Sequence, residues 1–417
     1  MRKVVISGMI GNGLEWYDFA LYGYFATVIS QQFFPSSDPY ISLISTYGAF
    51  AAGFLMRPFG AIFFGMLGDK YGRKISLTLS ILLMAIPTAC IGLLPTYEQI
   101  GVFAPILLTV IRLLQGLSLG GEFSGSITFI VEHSKDNSRG AAGSTTIISL
   151  VLGMLAGSLV ATFFAETLSQ EDLLSWGWRV PFIIGIAIGF VGFYIRKFTH
   201  ESPKYTKAKS AGALSKRPIH DVFTKHFMKM AQAIGIYISV TVPFYIFSVF
   251  MITYYSKIIG APLDDALLIN LIGMVFLIPV VLVSGWASDK IGRKRILIGA
   301  AIGYLIFAYP IFALTASGVF IYALTAQIIF ALFLGLYIGP VPAVLVELLP
   351  TSVRYTGMAI SYNVCAALFG GTAPLVSTWL IKETGNNAIV AAYIMICAVV
   401  SLFTLSHFKD KYQQDID

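Results

Sequence analysis

The sequence predicts an all-α membrane protein of twelve transmembrane helices arranged as two pseudo-symmetric six-helix bundles. Three observations point there: few charges, apolar stretches recurring from end to end, and charged loop motifs that repeat about half a chain apart. Of the 417 residues, 57% are hydrophobic and 12% charged, against about 25% charged in a soluble globular chain. The apolar stretches are each long enough to cross a hydrocarbon core of about 30 Å. Lipid offers no partner to an open backbone N–H or C=O, so each stretch must close its hydrogen bonds as a helix. A large soluble core is excluded.

The expected spans, in order, are 5–30, 41–65, 76–95, 102–131, 142–165, 180–197, 230–255, 266–287, 296–315, 319–346, 357–380 and 388–407. The first opens with Met1-Arg2-Lys3, as a signal peptide does. Its apolar run contains Glu15 and Asp18 and no small-residue cleavage site follows, so it reads as a retained helix. The second span carries Arg57, and the fourth Arg112, Gln115 and Glu122. Gly116 and Gly120 in the fourth span, like Gly153 and Gly157 in the fifth, suit close helix packing. After the sixth span comes the longest polar stretch, Arg196 to Lys229, which reads as a cytoplasmic linker with one amphipathic helix. It divides the chain into an N-terminal bundle (1–197), a linker (198–229) and a C-terminal bundle (230–417). Spans seven and eleven offer Tyr237, Phe244, Tyr245, Ser361, Tyr362, Asn363 and Thr372. Pro243 and the pair Gly370-Gly371 predict helix breaks there that open backbone groups to a cavity.

Charge orients the chain, because cytoplasmic loops retain Lys and Arg. With a cytoplasmic N-terminus, all but five of the 28 Lys and Arg lie on that side. Arg179, Lys257 and Lys382 fall outside, and Arg57 and Arg112 lie within spans. An even number of spans returns the C-terminus to the cytoplasm. The net charge of +7 then belongs to an inner surface facing anionic lipid, and needs no nucleic acid.

Two motifs repeat in order. Gly65-Met-Leu-Gly-Asp69-Lys-Tyr-Gly72-Arg73-Lys74 follows span two, and Gly285-Trp-Ala-Ser-Asp289-Lys-Ile-Gly292-Arg293-Lys294 follows span eight. Glu132 and Arg139 follow span four, as Glu347 and Arg354 follow span ten. Duplicated spacing on one side of the membrane marks two halves of common origin. Physically, these acids and arginines form conformational latches that pair across the halves and break when the halves rock apart.

These residues carry a resemblance. The Asp69 to Arg73 loop resembles the signature of the major facilitator superfamily, as does Arg112-Leu-Leu-Gln115-Gly116. Gly11-Asn12-Gly13-Leu-Glu15-Trp16-Tyr17-Asp18-Phe19 is similar to the opening of its metabolite:proton symporter family. So are Met56-Arg57-Pro58-Phe59-Gly60, Gln115 to Glu122 and Trp176-Gly-Trp178-Arg179-Val-Pro181. That family includes proline/betaine, 2-oxoglutarate, citrate and shikimate permeases. The resemblance implies proton-driven uptake by alternating access across a bacterial inner membrane. Osmosensing members carry a long C-terminal extension, whereas this sequence ends about ten residues after its last span. Span five lacks the glycine-proline signature of drug antiporters, which disfavours export.

An ionisable group within a span costs at least about 2.5–3.5 kcal/mol on insertion scales, so each needs a reason. The sequence places five there, Glu15, Asp18, Arg57, Arg112 and Glu122, all in the first half. Asp18 follows Glu15 by three residues, so both face one way, and Tyr22 continues the stripe. Three acids against two arginines leave one carboxylate free to bind and release a proton. Glu15 or Asp18 is the first choice for it and Glu122 the next.

The expected substrate contacts are Tyr22, Arg57, Arg112, Gln115, Tyr245, Tyr362 and Asn363. With acids outnumbering arginines, a zwitterion such as proline or betaine fits better than a di- or tricarboxylate such as 2-oxoglutarate or citrate. Trp16, Tyr17, Tyr22, Phe244 and Tyr245 supply rings for a quaternary ammonium. A channel-like facilitator is the alternative from another class, and latches suit it less well. An enzyme is disfavoured, because His133, His200, His220, His226 and His407 lie at loops or span ends without nucleophile partners. Cys90, Cys365 and Cys397 lie in apolar runs and make neither a disulfide framework nor a metal site. The expectation is therefore a monomer in the bilayer, with protons and a small molecule as partners and the proton gradient, not a cofactor, as energy source.

Overall fold

A computed structural model describes residues 2–37 and 39–416. The chain is helical, with no strand among the described residues. Helix α1 spans Arg2–Tyr24 and continues, after a turn at Phe25, as Ala26–Phe33. Eleven further helices are long and apolar enough to cross a membrane: α2 (Gly48–Lys70), α3 (Arg73–Leu93), α4 (Phe103–His133), α5 (Arg139–Thr167), α6 (Arg179–Lys197), α7 (Phe227–Ile258), α8 (Leu263–Ile291), α9 (Arg293–Ala316), α10 (Phe320–Leu348), α11 (Arg354–Thr384) and α12 (Asn387–Ser406). With α1, whose apolar run is interrupted by Glu15 and Asp18, they make twelve among the described residues. Leu159, Phe163, Leu375 and Phe403 are each more than 60% exposed, a surface suited to lipid rather than water.

The chain divides into two compact units. The first comprises 1–133, 149–221 and 351–360, and the second 134–148, 222–350 and 361–417. Each half of the sequence thus contributes one short segment, the start of α5 or of α11, to the unit built mainly by the other.

Small residues set the packing of the first unit. A Cβ at Gly116 would overlap the Gly53 carbonyl, and one at Gly120 the backbone of Arg57 and Ala61, so α4 lies directly on α2. Gly153 meets the backbone of Gly13, which seats α5 on α1. On α6, Gly185, Gly189 and Gly192 face Thr88, Ala85 and Ile81 of α3. Behind these seams a core of Leu14, Leu21, Phe25, Met84, Trp178 and Phe182 closes the bundle.

The second unit repeats the corner that joins α2 to α3. Gly72, at φ +121°, and Gly292, at φ +98°, turn α2 into α3 and α8 into α9. A side chain is strained at such φ, which accounts for the glycine in both copies.

Two expectations are corrected. The helix at Pro243 does not break but widens into π-turns, Ile246–Phe250 and Tyr254–Ile258, which keep the backbone bonded while shifting register. At the glycine pair, a π-turn at Ala366–Gly370 is followed by a turn at Gly371-Thr372 before the helix resumes at Ala373. The linker holds two short helices, Pro203–Ser210 and Pro218–Lys225, rather than one.

Candidate functional site

The first unit holds a small cavity lined by Glu15, Trp16, Asp18 and Phe19 of α1, and Phe50, Gly53, Phe54 and Arg57 of α2. Met84 of α3 and Arg112, Gln115 and Leu119 of α4 complete it. The spacing explains the convergence. Glu15 and Asp18 are one helical turn apart, as are Arg112 and Gln115, so each pair projects from one face.

The three buried acids are held very differently. Asp18 is fully engaged: Arg112 Nη1 donates to Oδ2 at 2.7 Å and Gln115 Nε2 to Oδ1 at 3.0 Å. Gln115 also donates to Thr88 Oγ1 at 2.8 Å and accepts from Arg112 Nη1 at 2.8 Å, which ties α1, α3 and α4 together. Glu122 is gripped by Arg196, Ser80 and Ser126. Among the described residues, Glu15 has one long contact, Arg57 Nη2 to Oε1 at 3.3 Å, and its buried Oε2 has no hydrogen-bond partner.

Arg196 overturns the charge count. The sequence reading placed it at the head of a cytoplasmic linker. In the structure it ends α6, is 1% exposed, and turns inward to Glu122 and the Ser7 carbonyl. Three acids therefore face three arginines, and the acid of weakest hold is found by geometry rather than by subtraction. A signal was present in the sequence: the stripe Gly185, Gly189 and Gly192 marks the buried face of α6, and Arg196 continues it.

Arg112 is the second unusual group. Its guanidinium lies 3.8 Å from the Tyr22 ring centroid, and that ring stacks on Phe50 at 5.3 Å. Nη1 is occupied, but Nε and Nη2, which form the side-on fork of the group, are buried without a hydrogen-bond partner among the described residues. Tyr22 thus covers Arg112 and donates its hydroxyl to the Thr46 carbonyl at 2.9 Å. Tyr17 points elsewhere, donating to the Pro181 carbonyl at 2.8 Å. The rings that do line the cavity beside Trp16 are Phe19, Phe50 and Phe54, which the sequence reading passed over.

In the second unit, Tyr362 meets Tyr237 edge to face at 5.2 Å, and Tyr245 lies against Phe244 and Gly370. Asn363 is fully buried. Tyr362 and Tyr245 thus both lie along the seam of α7 and α11, two helical turns apart.

The charged loops assemble as two matching networks, with partners exchanged between repeats. In the first unit, Glu132 accepts from Arg354 at 2.8 Å and from Arg73 at 3.3 Å, and Arg73 pairs with Asp69 at 3.0 Å. In the second, Glu347 lies 3.0 Å from Arg139 and 3.1 Å from Arg293, which pairs with Asp289 at 2.7 Å. Asp69 accepts the first-turn amides of α11, Tyr355 and Thr356, at 3.2 and 2.9 Å. Asp289 accepts those of α5, Gly140 and Ala141, both at 2.9 Å. A third repeat escaped notice because its spacing differs. Glu201 accepts from the Arg73 amide at 3.1 Å, and Asp410 from the Lys294 amide at 2.9 Å.

Residues 4–410 match the family model described as "Sugar (and other) transporter". The chain belongs to that family, and so to the membrane transporters of the major facilitator fold. It is 34% identical to the proline/betaine transporter of Salmonella typhimurium over 98% of this chain and 84% of that one. It is equally similar to the glycine betaine/proline/ectoine/pipecolic acid transporter OusA of Dickeya dadantii, over 98% and 83%. Among solved structures, the proton:xylose symporter XylE superposes with a TM-score of 0.79 at 19% identity, over 99% of this chain and 97% of that one.

Proposed function

We propose that the protein imports a small zwitterion of the proline or betaine kind together with a proton, by alternating access of the halves 1–197 and 230–417. The observation that carries this reading is the unfilled fork of Arg112 in an aromatic-walled cavity. Two parallel N–H donors match a carboxylate bidentately, and Trp16, Phe19, Phe50 and Phe54 suit the apolar, cationic remainder of such a molecule. The similarity to proline and betaine transporters supports the same substrate class. Against a dianion stands the second arginine, Arg57, already paired with Glu15.

Glu15 is the proton carrier in this reading, because its Oε2 alone among the oxygens of the three acids lacks a partner among the described residues. Protonation weakens its hold on Arg57 and biases the conformational equilibrium. Asp18 positions Arg112, and Glu122 braces α4 against α3 and α6. The Asp69 and Asp289 networks serve as latches on the cytoplasmic side. The protein acts as a monomer, with neither enzymatic chemistry nor cofactor.

Uptake of labelled proline, glycine betaine, 2-oxoglutarate and citrate into proteoliposomes, with and without an inward proton gradient, tests the reading. Gradient-stimulated uptake of proline or betaine is expected. Accumulation of only the di- or tricarboxylates overturns the substrate class, and gradient-independent, non-saturating flux overturns the carrier.

A further inference from the structure

The two latch networks match in their charges but not in the residue that follows the arginine. After Arg139 comes Gly140, whose backbone packs on Gly285. After Arg354 comes Tyr355, which enters the first unit as an aromatic plug and is fully buried. Its ring fills space left by Gly68 and Gly125, where a Cβ would overlap it, and packs with Ala61. Its hydroxyl donates to the Gly121 carbonyl at 2.8 Å and lies 3.2 Å from Ser76 Oγ.

Both hydroxyl contacts lead to one place. Gly121 is the peptide unit before Glu122. Ser76 is one turn of α3 from Ser80, which donates to Glu122 Oε2, an oxygen that Arg196 also contacts. The seat of the first turn of α11 and the inner ion pair are therefore joined by two short covalent paths on α3 and α4. The charged groups that act on Tyr355 are Glu122 of α4, Arg196 of α6 and Arg73 at the corner of α2 and α3, and Asp69 accepts its backbone amide.

We propose that Tyr355 is a positioning residue that links the latch at the start of α11 to the Glu122–Arg196 pair, so that its seat loosens when that pair is disturbed. A space-filling ring does not need its hydroxyl for this. A coupling element does.

The test reads the seat directly and does not depend on the substrate. Thr356→Cys, in a background with Cys90, Cys365 and Cys397 replaced, is labelled with a membrane-permeant maleimide across pH 5.5–8. Tyr355→Phe keeps the ring and removes the hydroxyl, and Glu122→Gln disturbs the pair. Each alone is expected to raise the labelling rate several-fold, and the double variant to be no faster than the faster single one, the signature of a shared path. Tyr355→Phe is also expected to flatten any pH dependence of labelling. Multiplying rates, or an unchanged rate and pH profile in Tyr355→Phe, overturn the proposal. If Glu122→Gln fails to fold, Ser80→Ala completes the cycle. Ser76→Ala, which breaks the same hydroxyl contact without touching the ring, should reproduce the Tyr355→Phe result.

Discussion

At the scale of single residues, the proposed function rests on groups that the protein leaves incompletely satisfied. A buried carboxylate oxygen without a partner costs of order 1–3 kcal/mol, and the chain carries that cost at Glu15 while fully bonding Asp18 and Glu122. Glu15→Gln fixes the neutral state in nearly the same shape. It should retain exchange of labelled substrate in counterflow and lose accumulation driven by a proton gradient. Retained uphill uptake in that variant removes Glu15 from the coupling step. Arg112→Lys keeps the charge but loses the fork. Its KM should rise by about tenfold or more, as expected for a lost charge-assisted bond of about 1.5–3 kcal/mol. An unchanged KM there places the carboxylate elsewhere. The identity of the charged residues was legible in the sequence, since each had to be justified against lipid. Which acid lacked a partner was not, because Arg196 lies at a span end, where basic residues are ordinarily topological.

At the scale of elements, glycines and π-turns divide the work between rigidity and adjustment. Gly120 of α4 touches backbone of α2, which cannot swing aside as a side chain does. Gly371 of α11 follows a π-turn and has ordinary clearance around any added Cβ. Gly120→Ala should therefore destabilise the purified protein by roughly 1–3 kcal/mol. Gly371→Ala should be neutral or slightly stabilising, since alanine favours the helix. Thermal unfolding in detergent separates the two, and equal midpoints contradict the packing account. The span positions, linker and close-packing glycines follow from composition and 3.6-residue periodicity. The π-turns do not, because proline and glycine mark where a helix is weak without saying whether it breaks or widens. Tyr355 was equally hidden: a tyrosine near a span end reads as an interfacial residue, and only the coincidence of Gly68 and Gly125 across two other helices makes room for it.

At the scale of the whole molecule, duplication of the sequence becomes exchange in space. The starts of α5 and α11 belong to the unit opposite the one that holds the rest of each helix. Asp69, Glu132, Asp289 and Glu347 thus each bind residues about 150–290 positions away, and Asp69 and Asp289 also pair with the arginine of their own loop. Asp69 and Asp289 do so by accepting first-turn amides, where a carboxylate meets the positive end of the helix dipole. Asn in either place keeps one acceptor and loses the charge, weakening the cap by about 1 kcal/mol. If a single rocking transition opens both networks, Asp69→Asn should speed hydrogen exchange not only at Tyr355 and Thr356 but also at Gly140 and Ala141. Asp289→Asn should do the same in reverse. Mass-spectrometric exchange on the two peptides distinguishes the cases. Acceleration confined to the mutated network would mean that the two latches open independently. Coupled exchange rates are therefore what a single rocking transition requires of this pair of repeats on one side of the membrane.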